Sequence, residues 1–100
     1  MRMPEVKHNG AKFDAGKLQF GLIDPMLERD LAAVLTFGAE RYGKGSWKTV
    51  PDAENRYLDA MLRHLHEHRM GNLVDDDSGL THLSHALCNI HFLMWFDRNK

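Results

Sequence analysis

The sequence has little of several features that would define a specialised class of protein. Its single cysteine, Cys88, excludes an internal disulfide and a cysteine-paired zinc site. The formal net charge of −1 gives no bulk attraction for duplex nucleic acid. The longest apolar runs are far shorter than the roughly 20 residues of a membrane span. The polar N-terminus carries no apolar signal core, so we expect a cytoplasmic protein without a membrane partner.

The composition that remains is that of an ordinary soluble domain. The chain has 100 residues, of which 43% are hydrophobic and 27% charged, and this length predicts one domain. A chain of this size buries only about 60–65% of its unfolded surface. We therefore expect a homo-oligomer, in which a second copy supplies further burial.

Three segments have the apolar spacing of helices. The first begins at Pro25, behind Asp24 as its cap, and ends at the glycines at positions 43 and 45. The second covers 53–70, after a start signal at 49–52 and before Gly71. The third begins near Ser78 and ends at about Phe96. The apolar stripes of the last two are Leu58, Met61, Leu62 and Leu65, and Leu80, Leu83, Leu87, Ile90 and Met94.

These segments predict an all-α fold, because no stretch alternates strongly enough to require a strand. We expect a compact helical domain of about three main helices with an extended N-terminal arm, assembled as an oligomeric bundle. The arm covers residues 1–24, with a short turn near its end, and the helical domain covers residues 25–100.

Six of the seven histidines lie between positions 64 and 91. His82, His85 and Asn89 share one face of the third helix, and His64 and Glu67 share a face of the second. If the two helices pack antiparallel, both groups can line one groove. A single histidine of this kind often hydrogen-bonds only a carbonyl group. A row of them favours a shared ligand, because an unpaired buried polar group costs about 1–3 kcal/mol.

The segment "HLHEH" at 64–68 also matches the HxxEH pattern of inverted zinc proteases. Such a short pattern arises easily by chance in a histidine-rich helix, and the chain is small to frame a peptide cleft. A phosphohydrolase of the HD type is disfavoured too, because no His-Asp dipeptide occurs.

Acidic and basic residues outside the histidine row suggest a phosphate site. The run 75–77 is all aspartate, which can cap the third helix or hold a divalent cation. The lysine and arginine side chains near glycines in "DAGKLQF" and "AERYGKGSWK" can bind phosphates. Tyr42 and Trp47 can stack on a base, although core packing explains Trp47 equally well.

One series of residues resembles a known family. The series comprises "GK" at 16–17, "FGAERYG" at 37–43, the tryptophan at 47, "RHL" at 63–65 and "DSGLTHLSHALCN" at 77–89. It is similar to the phage-rich dATP/dGTP diphosphohydrolase N-terminal family, which is regarded as related to the MazG-like pyrophosphohydrolases. The most specific part comprises Arg63, His64, Gly71, Asp75, Ser78, Gly79, His82, His85, Ala86 and Asn89.

The resemblance implies an oligomeric all-α protein that cleaves a deoxynucleoside triphosphate to a monophosphate and pyrophosphate, in the cytoplasm of a bacterial host if a phage encodes it. MazG-like enzymes hold magnesium with ExxE and ExxD pairs, which this chain lacks on its predicted helices. Histidines occupy the equivalent places, and imidazole is a poor ligand for magnesium. Either another metal such as Mn²⁺ is used, or the histidines touch the nucleotide directly.

The leading hypothesis is a metal-dependent nucleotide pyrophosphohydrolase with Mg²⁺ or Mn²⁺. The predicted site residues are Glu67 and Asp77 as catalytic carboxylates, His64, Glu67, Asp77 and His82 as metal ligands, and Lys17, Arg41, Tyr42, Trp47, Arg63, His85 and Asn89 as nucleotide contacts. The alternative is a phage protein that binds, without hydrolysis, a nucleotide signal of host immunity. A third reading, a plain helical interaction module, explains the leucine stripes but not the histidine row.

Overall fold

A computed structural model describes residues 15–100 of the chain. Its three α-helices are α1 (Pro25–Tyr42), α2 (Ala53–Arg69) and α3 (His82–Arg98). Short 3₁₀ turns at Phe20–Leu22 and Ser46–Thr49 precede α1 and α2. Over 15–100 there is no strand, and only one isolated antiparallel bridge occurs, so the predicted all-α fold is confirmed. None of the helices in this range is long and apolar enough to cross a membrane.

The predicted start of α1 is confirmed. The Asp24 side chain accepts a hydrogen bond from the backbone N–H of Met26 at 3.0 Å, and Pro25 occupies the first helical position. The helix ends where Gly43 adopts a φ of 97°, a conformation that glycine reaches without steric cost. Most of the predicted arm, residues 1–14, lies outside the described residues.

The predicted start of α3 near Ser78 is wrong, because the helix begins at His82. Ser78 belongs to a turn in which its backbone N–H and hydroxyl both donate to the Asp75 carboxylate. Such local bonds compete with helix formation. Thr81 is the true cap and accepts from the backbone N–H of Ser84 at 3.1 Å. The helix also runs past the predicted end at Phe96.

Helix α3 is the centre of the fold, since it contacts both α1 and α2. It runs antiparallel to α2: Tyr57 lies against Phe92, with 4.7 Å between ring centroids, and His64 lies against His85 at 4.6 Å. Trp47 stacks on Phe92 at 4.5 Å and meets Trp95 edge-on at 5.3 Å. This aromatic cluster fixes the α1–α2 loop against the C-terminal half of α3.

The side chains that α3 buries most completely are small or polar. Ala86 and Cys88 are 2% exposed, and the polar His82, Ser84 and Asn89 are each 7% exposed. The apolar stripes of α2 and α3 lie largely on the other side of the pair and face solvent. Their exposed members are Leu58, Leu62, Leu65, Leu83, Ile90 and Met94.

Candidate functional site

Three histidines from the two antiparallel helices meet near the start of α3. The Nδ1 atoms of His64 and His82 lie 2.8 Å apart, so they can share one proton or one cation. The ring of His85 stacks on that of His64 with an interplanar angle of 10°. From the two predicted groups, His64 of α2 and His82 and His85 of α3 therefore converge within one chain.

The turn before α3 adds a carboxylate to these histidines. The backbone N–H and the hydroxyl of Ser78 both donate to Oδ2 of Asp75 at 2.9 Å. The Ser78 oxygen also lies 2.7 Å from Nε2 of His85. Because the hydroxyl proton is donated to Asp75, the imidazole must donate from Nε2, which leaves the lone pair of His85 on Nδ1.

The electrostatics of this group favour the neutral form of His64 and of His85 and the ionised form of Asp75. Burial lowers the pKa of His64, and the nearby His85 and His82 lower it further. Burial also lowers the pKa of His85, in opposition to the carboxylate of Asp75. Burial acts to raise the pKa of Asp75, but the bonds from Ser78 and the adjacent imidazoles outweigh it, so its pKa lies below the usual value.

Three of these residues lie close enough together to hold a metal ion. One ligand atom from each of His64, Asp75 and His82 lies within 4.8 Å of the others. Adjacent ligands of an octahedral ion with bonds of about 2.1 Å are roughly 3 Å apart, close to the spacing of the two Nδ1 atoms. Two imidazoles and one carboxylate suit Mn²⁺ or another transition metal better than Mg²⁺. The hydrogen bonds of Ser78 orient the carboxylate from behind.

A cleft of about 980 Å³ opens beside the cluster, between α1, the α1–α2 loop and the α2–α3 pair. His64 and His85 belong to the cluster and to the cleft wall alike. The cleft is bordered mostly by apolar and aromatic groups. Its wall includes Val34, Phe37, Tyr42, Trp47, Tyr57, Arg63, His64, His85, Cys88, Asn89 and Phe92.

Several predicted nucleotide contacts line this cleft. Asn89 is buried and donates from Nδ2 to the carbonyl of His85 at 3.0 Å. Arg63 lies on the wall, paired with Asp59 at 2.8 Å. Tyr42 is 70% exposed and thus has its ring surface available for stacking. Trp47 reaches the cleft from within the aromatic cluster, so it serves the packing role as well.

Other predicted site residues lie apart from the cluster. The Glu67 carboxylate accepts from the side chain of Asn72 at 2.7 Å and does not join the group of His64, Asp75 and His82. Asp77 forms a two-pronged ion pair with Arg41, which raises the pKa of the guanidinium and lowers that of the carboxyl group. Lys17 is exposed ahead of the first 3₁₀ turn and does not line the cleft.

A family model described as "dATP/dGTP diphosphohydrolase, N-terminal" matches residues 7–100 of the chain. The chain belongs to this family. A relative described as a dATP/dGTP diphosphohydrolase from Salmonella phage PMBT28 is 38% identical over 91 residues, which are 91% of this chain and 31% of that protein. The chain thus spans about a third of that relative's length. No solved structure gives a significant match.

The resemblance of the motif series to the dATP/dGTP diphosphohydrolase N-terminal family is thereby confirmed. The predicted site omitted two residues that the geometry places in it, Asp75 and Ser78. Both belong to the motif series, and the Asp-x-x-Ser spacing is itself typical of a side-chain-capped turn. That spacing is the signal that distinguishes Asp75 from the two aspartates after it.

Proposed function

We propose that this chain is a metal-dependent nucleotide diphosphohydrolase that converts a deoxynucleoside triphosphate to a monophosphate and pyrophosphate. The observation that carries the proposal is the meeting of three imidazoles and one carboxylate beside a cleft of about 980 Å³. The name of the 38% identical relative supports the same reaction and suggests dATP and dGTP as substrates. The net charge of −1 gives no bulk attraction for duplex nucleic acid, which agrees with a small-molecule substrate.

The cleft offers a binding mode for both ends of such a substrate. A purine fits between the apolar wall of α1 and the aromatic side chains of the loop and α3, where it can stack. The triphosphate then points toward His64 and His85. Arg63 and Lys44, both on the cleft wall, supply positive charge for the phosphates.

The reaction requires that a water oxygen bond to the α-phosphorus while the bond from that phosphorus to the bridging oxygen breaks. We assign the metal ligands as His64, Asp75 and His82. A divalent ion held there would lower the pKa of a bound water and neutralise phosphate charge. His85 accepts the water proton at Nδ1, because Nε2 is engaged with Ser78. Asp75 stabilises the resulting imidazolium through Ser78.

The decisive experiment is chromatography of products from a dNTP panel with Mg²⁺ and Mn²⁺ in parallel. The variant Asp75→Asn preserves shape but removes the anionic ligand, so we expect a loss of at least about 100-fold in rate. The matched control is Asp76→Asn, one residue along the chain and exposed to solvent, which should retain the wild-type rate. Equal activity in both variants would remove Asp75 from the site.

A second candidate function is sequestration of a nucleotide without hydrolysis, such as a host immune signal. The observation that favours it is that one carboxylate, Asp75, joins the cluster, while Glu67 and Asp77 are engaged elsewhere. Incubation with dNTPs and cyclic dinucleotides tests this function. A ligand that leaves solution and returns intact after heat denaturation supports sequestration, and release of pyrophosphate supports hydrolysis.

A further inference from the structure

Gly38 lies inside α1, where the conformation of the backbone does not call for a glycine. Five of the other described glycines have a positive φ, a conformation that other residues rarely adopt. Gly38 has no positive φ and belongs to a continuous helix. Glycine is the weakest helix former after proline, because its backbone loses the most freedom on folding. A glycine at this position therefore weakens α1 without a local benefit.

Packing within the chain does not require this glycine either. A methyl group built on Gly38 would meet no atom of another described element within 4 Å. The remaining use of a glycine in a helix is to let a neighbouring group come close to the backbone. Residues 15–100 do not supply that neighbour, so a ligand is the natural candidate.

The open space over Gly38 belongs to the cleft beside the histidine cluster. Gly38 is half-buried and forms part of the cleft wall. Val34, one helical turn earlier, is 8% exposed, and Tyr42, one turn later, is 70% exposed. Because residues four apart share one side of a helix, these three positions form a row along the wall. The row is closed at Val34 and open from Gly38 onward.

The charges around the cleft indicate which part of a nucleotide lies against Gly38. The cations of the wall are on the α1–α2 loop and on α2, namely Lys44, Arg56 and Arg63. The α1 side of the wall is uncharged throughout, with Val34, Leu35, Thr36, Phe37, Gly38, Ala39 and Tyr42. Phosphates are bound by cations, whereas the flat face of a base gains from apolar and aromatic contact. The base is therefore the part that faces α1.

We propose that Gly38 is a specificity-determining residue, at which the cleft accepts the second ring of a purine against the bare backbone of α1. This inference rests on the proposed function, since it requires a nucleotide in the cleft. A purine is longer than a pyrimidine by one fused ring. A side chain at position 38 would occupy the space of that ring and would leave room for the smaller base.

The first test measures KM and kcat for dATP and dTTP by chromatography of the products with Mn²⁺. Gly38→Ala should raise the KM for dATP at least about ten-fold, because one methyl group in a fitted pocket is worth roughly 10–200-fold. The kcat should change little, since the contact is the same in the ground state and the transition state. Gly38→Leu should lower kcat/KM for dATP further, and for dATP more than for dTTP.

The matched control is Ala32→Leu, which enlarges an exposed residue of α1 that does not line the cleft. Both constants should stay at their wild-type values in this variant. Unchanged constants for dATP in Gly38→Leu would overturn the proposal. So would an equal loss for dATP and dTTP, because a general obstruction of the cleft does not discriminate between bases.

The second test is thermal unfolding of the same variants without ligand. Gly38→Ala should raise the Tm by about 4–8 °C, because alanine favours the helix and the added methyl group meets no neighbour. A variant that is more stable and yet binds dATP less well is the expected signature. A lower Tm would show that protein packs on position 38, and would overturn the proposal.

Equilibrium dialysis with dATP separates failure of this inference from failure of the proposed function. Intact dATP that is bound by the wild type and bound at least about ten-fold less tightly by Gly38→Leu would support the role of Gly38 and overturn hydrolysis. Turnover of dATP with an unchanged KM in Gly38→Leu would overturn the role of Gly38 and leave hydrolysis in place. A wild type that neither binds nor cleaves dATP or dGTP would overturn both.

Discussion

The inner and outer sides of the α2–α3 pair have opposite characters. The inner side, which faces the cleft, buries imidazole, amide, hydroxyl and small side chains at its site end. The outer side carries leucine, isoleucine and methionine at 38–54% exposure. An amphipathic helix is expected to bury its apolar stripe and expose its polar one. Within the single chain, the leucine-rich stripes of these two helices stay exposed, while the site end of α3 buries polar side chains.

At the candidate site, the interior between the helices is lined by polar side chains. Buried polar groups are costly unless each has a partner, and here Asp75, Ser78, His85 and Asn89 form hydrogen bonds. In the described residues, a ring nitrogen of His91 is the exception, with no bond to its buried Nδ1. At the site end of the pair, large apolar side chains would fill the space that the three imidazoles occupy, whereas the other end holds Tyr57 and Phe92.

The largest effect on the inner side should come from its aromatic end. Trp47→Ala removes the ring that contacts Phe92 and Trp95, and we expect a loss of about 3 kcal/mol in the free energy of unfolding. Urea denaturation measures it. Phe20→Ala, at an exposed aromatic outside the cluster, should change that free energy by less than about 0.5 kcal/mol. Similar losses of unfolding free energy in both variants would mean that the aromatic cluster does not anchor the α1–α2 loop.

The next effect compares a small buried residue with a large exposed one. Ala86→Leu inserts a bulky side chain at a position that is 2% exposed, and we expect a destabilisation of about 2 kcal/mol. Leu83→Ala, on the exposed outer side of the pair, should cost less than about 1 kcal/mol. Thermal unfolding of both variants tests the ranking. A larger loss for Leu83→Ala would mean that the outer side is the true core.

A smaller effect on the inner side concerns pH. Burial lowers the pKa of His64 and of His85, so the unfolded chain binds protons more readily than the folded one. Their contribution to stability is complete above the ordinary histidine pKa of about 6.5 and declines as the pH falls below it.

Urea midpoints between pH 8 and pH 5 measure this decline. His64→Gln should flatten the slope below pH 6.5, while the exposed His66→Gln should leave it unchanged. A slope that survives in His64→Gln and in His85→Gln would locate the titrating group elsewhere.

The smallest effect should come from the ion pair between Arg41 and Asp77. Both side chains are substantially exposed, and exposed ion pairs contribute little because solvent and salt screen them. Asp77→Asn should leave thermal stability and nucleotide turnover near wild type, in contrast to Asp75→Asn. Loss of turnover in Asp77→Asn would restore the carboxylate to the catalytic role that the sequence suggested.

The elements of this fold could be predicted because local signals determine them. The Asp24–Pro25 start and the glycine stop of α1 act through neighbouring backbone groups. The apolar spacing that identified α2 is likewise a property of one local segment. The start of α3 could not be predicted in the same way, since Ser78 and Thr81 are both good caps. The Asp75–Ser78 turn decides between them, and its geometry depends on contacts that spacing does not report.

The candidate site was predictable to the extent that it lies on helices. Positions 64, 82 and 85 converge because helical periodicity and antiparallel packing place them together. The acid could not be chosen the same way, because 75–77 are identical residues in a loop. Only the Asp75–Ser78 turn directs Asp75 toward the histidines, whereas Asp77 pairs with Arg41. The exposure of the stripes could not be predicted either, because helical spacing does not report which face of a helix meets a neighbour.

The position of the two tryptophans gives the molecule an internal optical reporter. Trp47 and Trp95 are the only tryptophans, and they touch each other within the cluster that ends the cleft. The ring of His91 lies 5.5 Å from that of Trp47, close enough for a change in either to alter emission. Intrinsic fluorescence therefore arises from one place, and a base stacked in the cleft would quench it without any label.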